Sequence, residues 1–81
     1  MSIKVKVGYF AALRDQRGLS SEEVSTSANS AAELYQELAA KHKLTVESRL
    51  IRFVKLSGFC EPDEPLVDGD EVEFLPPASG G

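Results

Sequence analysis

An α+β domain, with a mixed sheet packed on one main helix plus a short helix, is the fold class this chain predicts. Three observations carry that expectation. Apolar and polar residues alternate strictly in Ile3–Tyr9 and again in Glu71–Leu75, the period of a half-buried strand. Between them, Ala31, Leu34, Tyr35, Leu38 and His42 recur at helical spacing. Finally, 81 residues suffice for one core, and a sheet with a helix on one face is the simplest layering for a core of that size.

The elements follow in order. Ile3, Val5, Val7 and Tyr9 share one face of a first strand, with Lys4 and Lys6 turned to water. Phe10 to Arg17 is a short run of good helix formers that stops at Gly18, where the left-handed conformation costs little. A brief second strand is expected over Ser21–Ser25, around Val24. Ser30-Ala-Ala-Glu33 fits a capping box opening a helix over 30–42, and Lys41, His42 and Lys43 suit its negative C-terminal end. Leu50–Leu56 is expected as a third strand and Gly58-Phe59-Cys60 as a short fourth. Pro62 and Pro65 punctuate the loop that follows. Asp68-Gly69-Asp70 predicts a tight turn into the last strand, and Pro76-Pro77, lacking amide hydrogens, must end its ladder. If the first and last strands are neighbours, Lys4 and Lys6 face Glu71 and Glu73. Residues 1–77 thus form the domain, and 78–81 a tail.

Composition narrows the function. With 13 acidic and 9 basic residues the net charge is −4, which opposes general affinity for nucleic acid or anionic lipid. Cys60 is the single cysteine, so no internal disulfide can form and a reducing, cytoplasmic setting is expected. Neither a signal peptide, nor a membrane-length apolar run, nor metal-ligand spacing is recognisable. Sole histidine His42 is explained by its helix end, Cys60 by a place in the core, and Arg14 by solvent exposure. Glu22-Glu23 and Glu61–Glu64 belong to the solvated surface.

The ending is the chemically distinctive part. Gly80-Gly81 has no Cβ and can lie flat in a narrow channel, presenting a bare carboxylate. Ala78 and Ser79 are small as well, and Pro76-Pro77 holds the tail's base extended, so less freedom is lost on insertion. Four residues beyond Pro77 reach at most about 14 Å. A frayed end is the plain alternative.

The stretch Asp68-Gly-Asp-Glu-Val-Glu-Phe-Leu-Pro-Pro-Ala-Ser-Gly-Gly81 closely resembles the C-terminus of the MoaD family, the small subunits of molybdopterin synthase. Tyr9-Phe-Ala-Ala-Leu-Arg14 resembles that family's first strand-to-helix passage. Lys55-Leu56 departs from the Val-Asn pair often found in the family's third strand, so no role carries over there. The resemblance implies a β-grasp, ubiquitin-like fold and a sulfur carrier. In such carriers a ubiquitin-activating-like adenylyltransferase (MoeB-like) consumes ATP to adenylylate the terminal glycine, here Gly81. A sulfurtransferase then supplies the sulfur of a thiocarboxylate. The large subunit (MoaE-like), in a heterotetramer, receives the tail and passes sulfur to cyclic pyranopterin monophosphate. No permanently bound cofactor is implied. Two carrier roles stay open beside it, thiamine thiazole and tRNA thiolation, as do a ubiquitin-like modifier joined through Gly81 and a plain binding module with an inert tail.

One further expectation concerns docking. Phe10 follows Lys4, Lys6 and Gly8 on the first strand's outer face, and Leu75 follows Glu71 and Glu73 on the last. With Phe59 they would form an apolar patch at the tail's exit. The competing reading folds Phe10 inward with the short helix and uses Phe59 to cap the core.

Overall fold

The computed structural model describes residues 2–77. Five strands form one mixed sheet: β1 (Ile3–Tyr9), β2 (Ser21–Thr26), β3 (Arg52–Lys55), β4 (Gly58–Cys60) and β5 (Glu71–Leu75). Their spatial order is β2-β1-β5-β3-β4, with β1 and β5 parallel and the other pairs antiparallel. Helix α1 (Ala11–Arg17) joins β1 to β2, and α2 (Ala31–His42) is the main helix on the sheet's inner face. This is the ubiquitin-like β-grasp architecture. No helix of the described residues is long and apolar enough to cross a membrane.

Alternation decides which face is buried. Val5, Val7 and Tyr9 of β1, Val72 and Phe74 of β5 and Phe53 of β3 turn inward, where Ala31, Leu34, Tyr35 and Leu38 of α2 meet them. Phe74 is the hub: Tyr9, Tyr35 and Phe53 each set a ring edge-to-face against it, at centroid distances of 5.9, 5.2 and 5.5 Å. Such pairs add about 0.5–1.5 kcal/mol each beyond burial. Cys60 is buried beside this core, where desolvation pushes its thiol up, so it behaves as a small apolar residue.

Several local expectations shift by a residue or two, each for a visible reason. Phe10 precedes α1 instead of starting it: its backbone is extended, and Ala11 takes a left-handed φ of 52°. The second strand runs on to Thr26, whose buried hydroxyl bonds Glu37 of α2 and accepts the Ala28 N–H at 2.9 Å. Leu50 is not in a strand, because Ser48–Leu50 forms a 3₁₀ turn that consumes the Leu50 amide (2.9 Å to Glu47 O). At the start of α2 the Glu33 N–H donates to Ser30 Oγ at 3.2 Å as expected. The Glu33 carboxylate, however, takes the Asn29 N–H, one residue early for a reciprocal box.

The Asp68-Gly69-Asp70 turn sets the register of β5. The Lys4 N–H donates to Asp68 Oδ1 (2.8 Å), the Gly69 N–H to Lys4 O (2.8 Å), and the Lys6 N–H to Asp70 O (2.9 Å). Because that turn occupies the space beside Lys4, β5 starts only at Lys6. Lys6 therefore neighbours Glu71 while Gly8, and no lysine, neighbours Glu73. Lys55 braces the same turn from β3, at 3.1 Å from Asp70, 3.2 Å from Glu64 and 3.1 Å from Pro65 O. Burial alone would push its ammonium down, but the hydrogen bonds it donates to Asp70 and Glu64 outweigh that and hold it charged.

On the opposite side, Glu22 joins β2 to α1 and β1. It accepts from Arg17 Nε and Nη2 at 2.9 and 2.8 Å and from the Tyr9 hydroxyl at 2.6 Å. The Arg17 bonds hold its carboxyl below the usual range against the opposing effect of burial. A depressed folded pKa gives stability that is present above the ordinary carboxylate value and lost as pH falls through the folded one. Thermal melts between pH 6 and 3 should therefore show a smaller acid loss for Glu22→Gln than for the parent. Because Glu22 is only partly buried, the difference is about 1 kcal/mol or less. Parallel pH curves for the two proteins would count against this triad as an acid-labile contact.

Candidate functional site

The site is built outward from β5. That strand is central, paired with β1 on one side and β3 on the other, so its position is fixed by two ladders. Its inward residues Val72 and Phe74 are fully buried, which anchors the strand up to the residue before Leu75. After Leu75 the ladder stops, and Pro76 and Pro77 carry the chain away half-buried and exposed respectively. The expected tail residues Ala78, Ser79, Gly80 and Gly81 lie outside the described residues.

Of the three apolar residues expected around the exit, Phe10 and Phe59 are 41% and 77% exposed, so neither is a core residue. Leu75 is half-buried, opposite Arg52. Phe10 lies over Gly8 on the outer face; a Cβ at Gly8 would sit 3.6 Å from its ring and 3.3 Å from Glu73 Cγ. The left-handed turn at Ala11 directs the chain into α1 immediately after Phe10.

Phe59 sits across the sheet. It neighbours Val54, which neighbours Glu73, which neighbours Gly8. The paired row thus runs Phe59–Val54–Glu73–Gly8, and the Phe10 ring lies over its Gly8 end. Phe10 borders a small hollow with Gly8 and Glu71, whereas Phe59 borders a separate open groove of about 680 Å³. Pro77, Leu50, Arg49 and Arg52 line that groove too.

Nothing in the sequence singles out Arg49, Leu50 and Arg52. Leu50 and Arg52 fall within an expected strand whose neighbour the sequence does not specify. Only the β3–β5 register, Arg52 against Leu75, brings them to the tail's base. The residues set aside keep ordinary settings. Arg14 is exposed, and His42 at the end of α2 is held toward neutrality by burial and by Arg17.

Comparison with known proteins adds kinship to this geometry. The model of the ThiS family matches residues 7–81. The Escherichia coli (strain K12) molybdopterin synthase sulfur carrier subunit is 34% identical over 80 residues, covering 95% of this chain and 99% of its own length. Its namesake in Chlamydomonas reinhardtii is 34% identical over 83 residues, covering 98% and 100%. Among solved structures, a putative molybdopterin converting factor, subunit 1, from Pyrococcus furiosus superposes with a TM-score of 0.75 at 30% identity. That match covers 95% of this chain and all of the other. A family match over nearly the whole length, together with the strand order and the position of β5, places this chain in the ThiS/MoaD family.

Proposed function

We propose that this chain is the sulfur-carrying small subunit of a molybdopterin synthase, with the Gly81 carboxyl group as the reacting centre. The observation that carries this reading is the doubly paired β5. It ends in Pro76-Pro77 on a chain whose full-length relatives are named sulfur carrier subunits.

The chemistry explains why such a tail is needed. A carboxylate is a poor electrophile, its charge spread over two oxygens. Attack of its oxygen on the α-phosphorus of ATP releases pyrophosphate and leaves an acyl-adenylate. Hydrosulfide sulfur forms the C–S bond as the C–O bond to AMP breaks, and AMP departs with the electron pair. A persulfide donor gives an acyl disulfide first, whose S–S bond a second thiol must cleave, forming a disulfide with the donor's sulfur, to release the thiocarboxylate. The resulting thiocarboxylate is a tethered sulfur nucleophile. Activation belongs to an adenylyltransferase and the sulfur to a sulfurtransferase, both in the ATP-containing cytoplasm. Transfer to the pterin precursor belongs to the large subunit, in a heterotetramer. The body described here contributes delivery: it docks and aims four small residues into another protein's channel.

Intact mass spectrometry after incubation with an activating enzyme, ATP and a sulfur source tests this directly. A gain of about 16 Da, sulfur for oxygen, is expected. Unchanged mass favours an inert tail, and covalent adducts with other proteins favour a modifier.

Docking is assigned to Phe10, Phe59 and Leu75 on the outer face. Phe10→Ala or Leu75→Ala should weaken binding to the large subunit, Phe10→Ala by about 1–3 kcal/mol as for an exposed aromatic anchor. The fold should survive, since Phe10 lies outside the core. Unchanged affinity in calorimetry would remove the patch from the docking surface.

A further inference from the structure

We infer that the outer edge of β2 is a self-association surface. Two copies of this chain join there antiparallel, about a two-fold axis through Val24, with Lys41 of each copy beside Glu37 of the other. Neither the tail nor sulfur transfer enters this inference, so it stands or falls apart from the functional reading.

The sheet edge is the first argument. β2 has β1 on one side and no described strand on the other. It is six residues long, against three for β4 at the opposite edge. The Tyr9 N–H donates to Ser20 O at 2.9 Å, which fixes the phase of the β1–β2 ladder. Glu22, Val24 and Thr26 therefore turn their main-chain groups to β1, while Ser21, Glu23 and Ser25 turn theirs outward. Those outward N–H and C=O groups bond no described residue. Such a row is a template for another strand unless charge guards it. Both glutamates here already have cationic neighbours: Glu22 holds Arg17, and Glu23 lies opposite Lys6.

Register is the second argument. Outward residues must pair with outward residues, which restricts a two-fold axis to positions on a residue. An axis through Glu22 or Glu23 sets a glutamate against itself. One through Ser25 pushes much of the overlap past Thr26, the end of β2. Through Val24 the pairs are Val24 with Val24, Glu23 with Ser25 and Glu22 with Thr26, free of like charges. Each Glu23 then exchanges both main-chain bonds with Ser25 of the second copy. Val24 is half-buried and packs on the core, so its mate extends an apolar contact already begun.

Charge is the third argument. Helix α2 runs beside β2 in the opposite sense: Glu37 bonds the Thr26 hydroxyl, and Lys41, one turn on, borders the same hollow as Glu22 and Glu23. Because the Val24 axis sets Glu22 opposite Thr26, Lys41 of one copy arrives at Glu37 of the other, and the pair repeats by symmetry. Both side chains are exposed, and neither makes an ion pair among the described residues. With a net charge of −4 on each copy and one short strand apiece, the dimer is weak and forms at high concentration.

Sedimentation equilibrium and amide magnetic resonance of the full chain, diluted from about 1 mM, test this. The mean mass should rise toward that of a dimer, with concentration-dependent shifts at Ser21, Glu23, Ser25 and Lys41 and none at Phe59 on the other edge. Lys41→Glu alone and Glu37→Lys alone should each weaken self-association by roughly tenfold. Mixing the two variants should restore it, because each then meets its complement. Ser25→Pro removes an outward donor, leaves the β1 ladder whole and should abolish the dimer. A chain that stays monomeric at the highest concentration would overturn the inference. So would shifts centred on Phe10 and Phe59, or a Glu37→Lys variant that associates as the parent does. Dilution of the parent chain decides the matter even where a variant loses its fold.

Discussion

Deleting Gly81, or adding one residue after it, should reduce sulfur transfer by more than about 10²-fold while leaving the urea midpoint unchanged. The first half follows from reach. The body's docked position and the fixed end of β5 determine where the carboxyl group arrives, and one residue moves it by about 3.3–3.6 Å. A misplacement of about 1 Å can already cost 10²-fold when reacting atoms must meet in a fixed geometry. The second half follows from burial: the core residues all lie between Val5 and Phe74. Single-turnover conversion of the pterin precursor, measured beside an unfolding curve, checks both halves. An extended chain that still converts precursor at the parental rate would move the reacting centre away from Gly81.

Phe74→Ala has the opposite profile, a large loss of fold with no change to the tail. Truncating a fully buried phenylalanine costs about 3–5 kcal/mol. Here it also removes three edge-to-face partners at once. A domain of this size has a total stability of order 5–10 kcal/mol, so the variant should sit near or below its folding threshold at 37 °C. Urea denaturation followed by circular dichroism reads the loss, and Phe74→Leu should lose clearly less. A midpoint for Phe74→Ala within about 1 kcal/mol of the parent would show that the core closes around the gap.

Much of this architecture was legible in the sequence, and the reason is local. Strict alternation in Ile3–Tyr9 and Glu71–Leu75 placed the central strands, because a one-residue slip would bury lysine and glutamate. Ser30 and the spacing of Leu34, Tyr35 and Leu38 placed α2. What stayed hidden depends on partners distant in the chain. Lys55, a departure from the family's pattern to which the sequence assigns no role, is given one by Glu64 and Asp70, which lie beyond the next strand. Glu22 looked like solvated charge until Tyr9 and Arg17 converged on it. The outer-face row was readable from alternation. That Val54 and Glu73 stand between Phe59 and Gly8 depends on the cross-strand register.

The placement of β5 between two neighbours also bears on mechanics. Traction applied to the chain beyond Leu75 along the strand's axis would load its hydrogen bonds to β1 and β3 side by side, in shear. An edge strand under the same traction could peel away bond by bond. On the proposed function, a partner's pull would therefore leave the body behind Pro77 in its own shape.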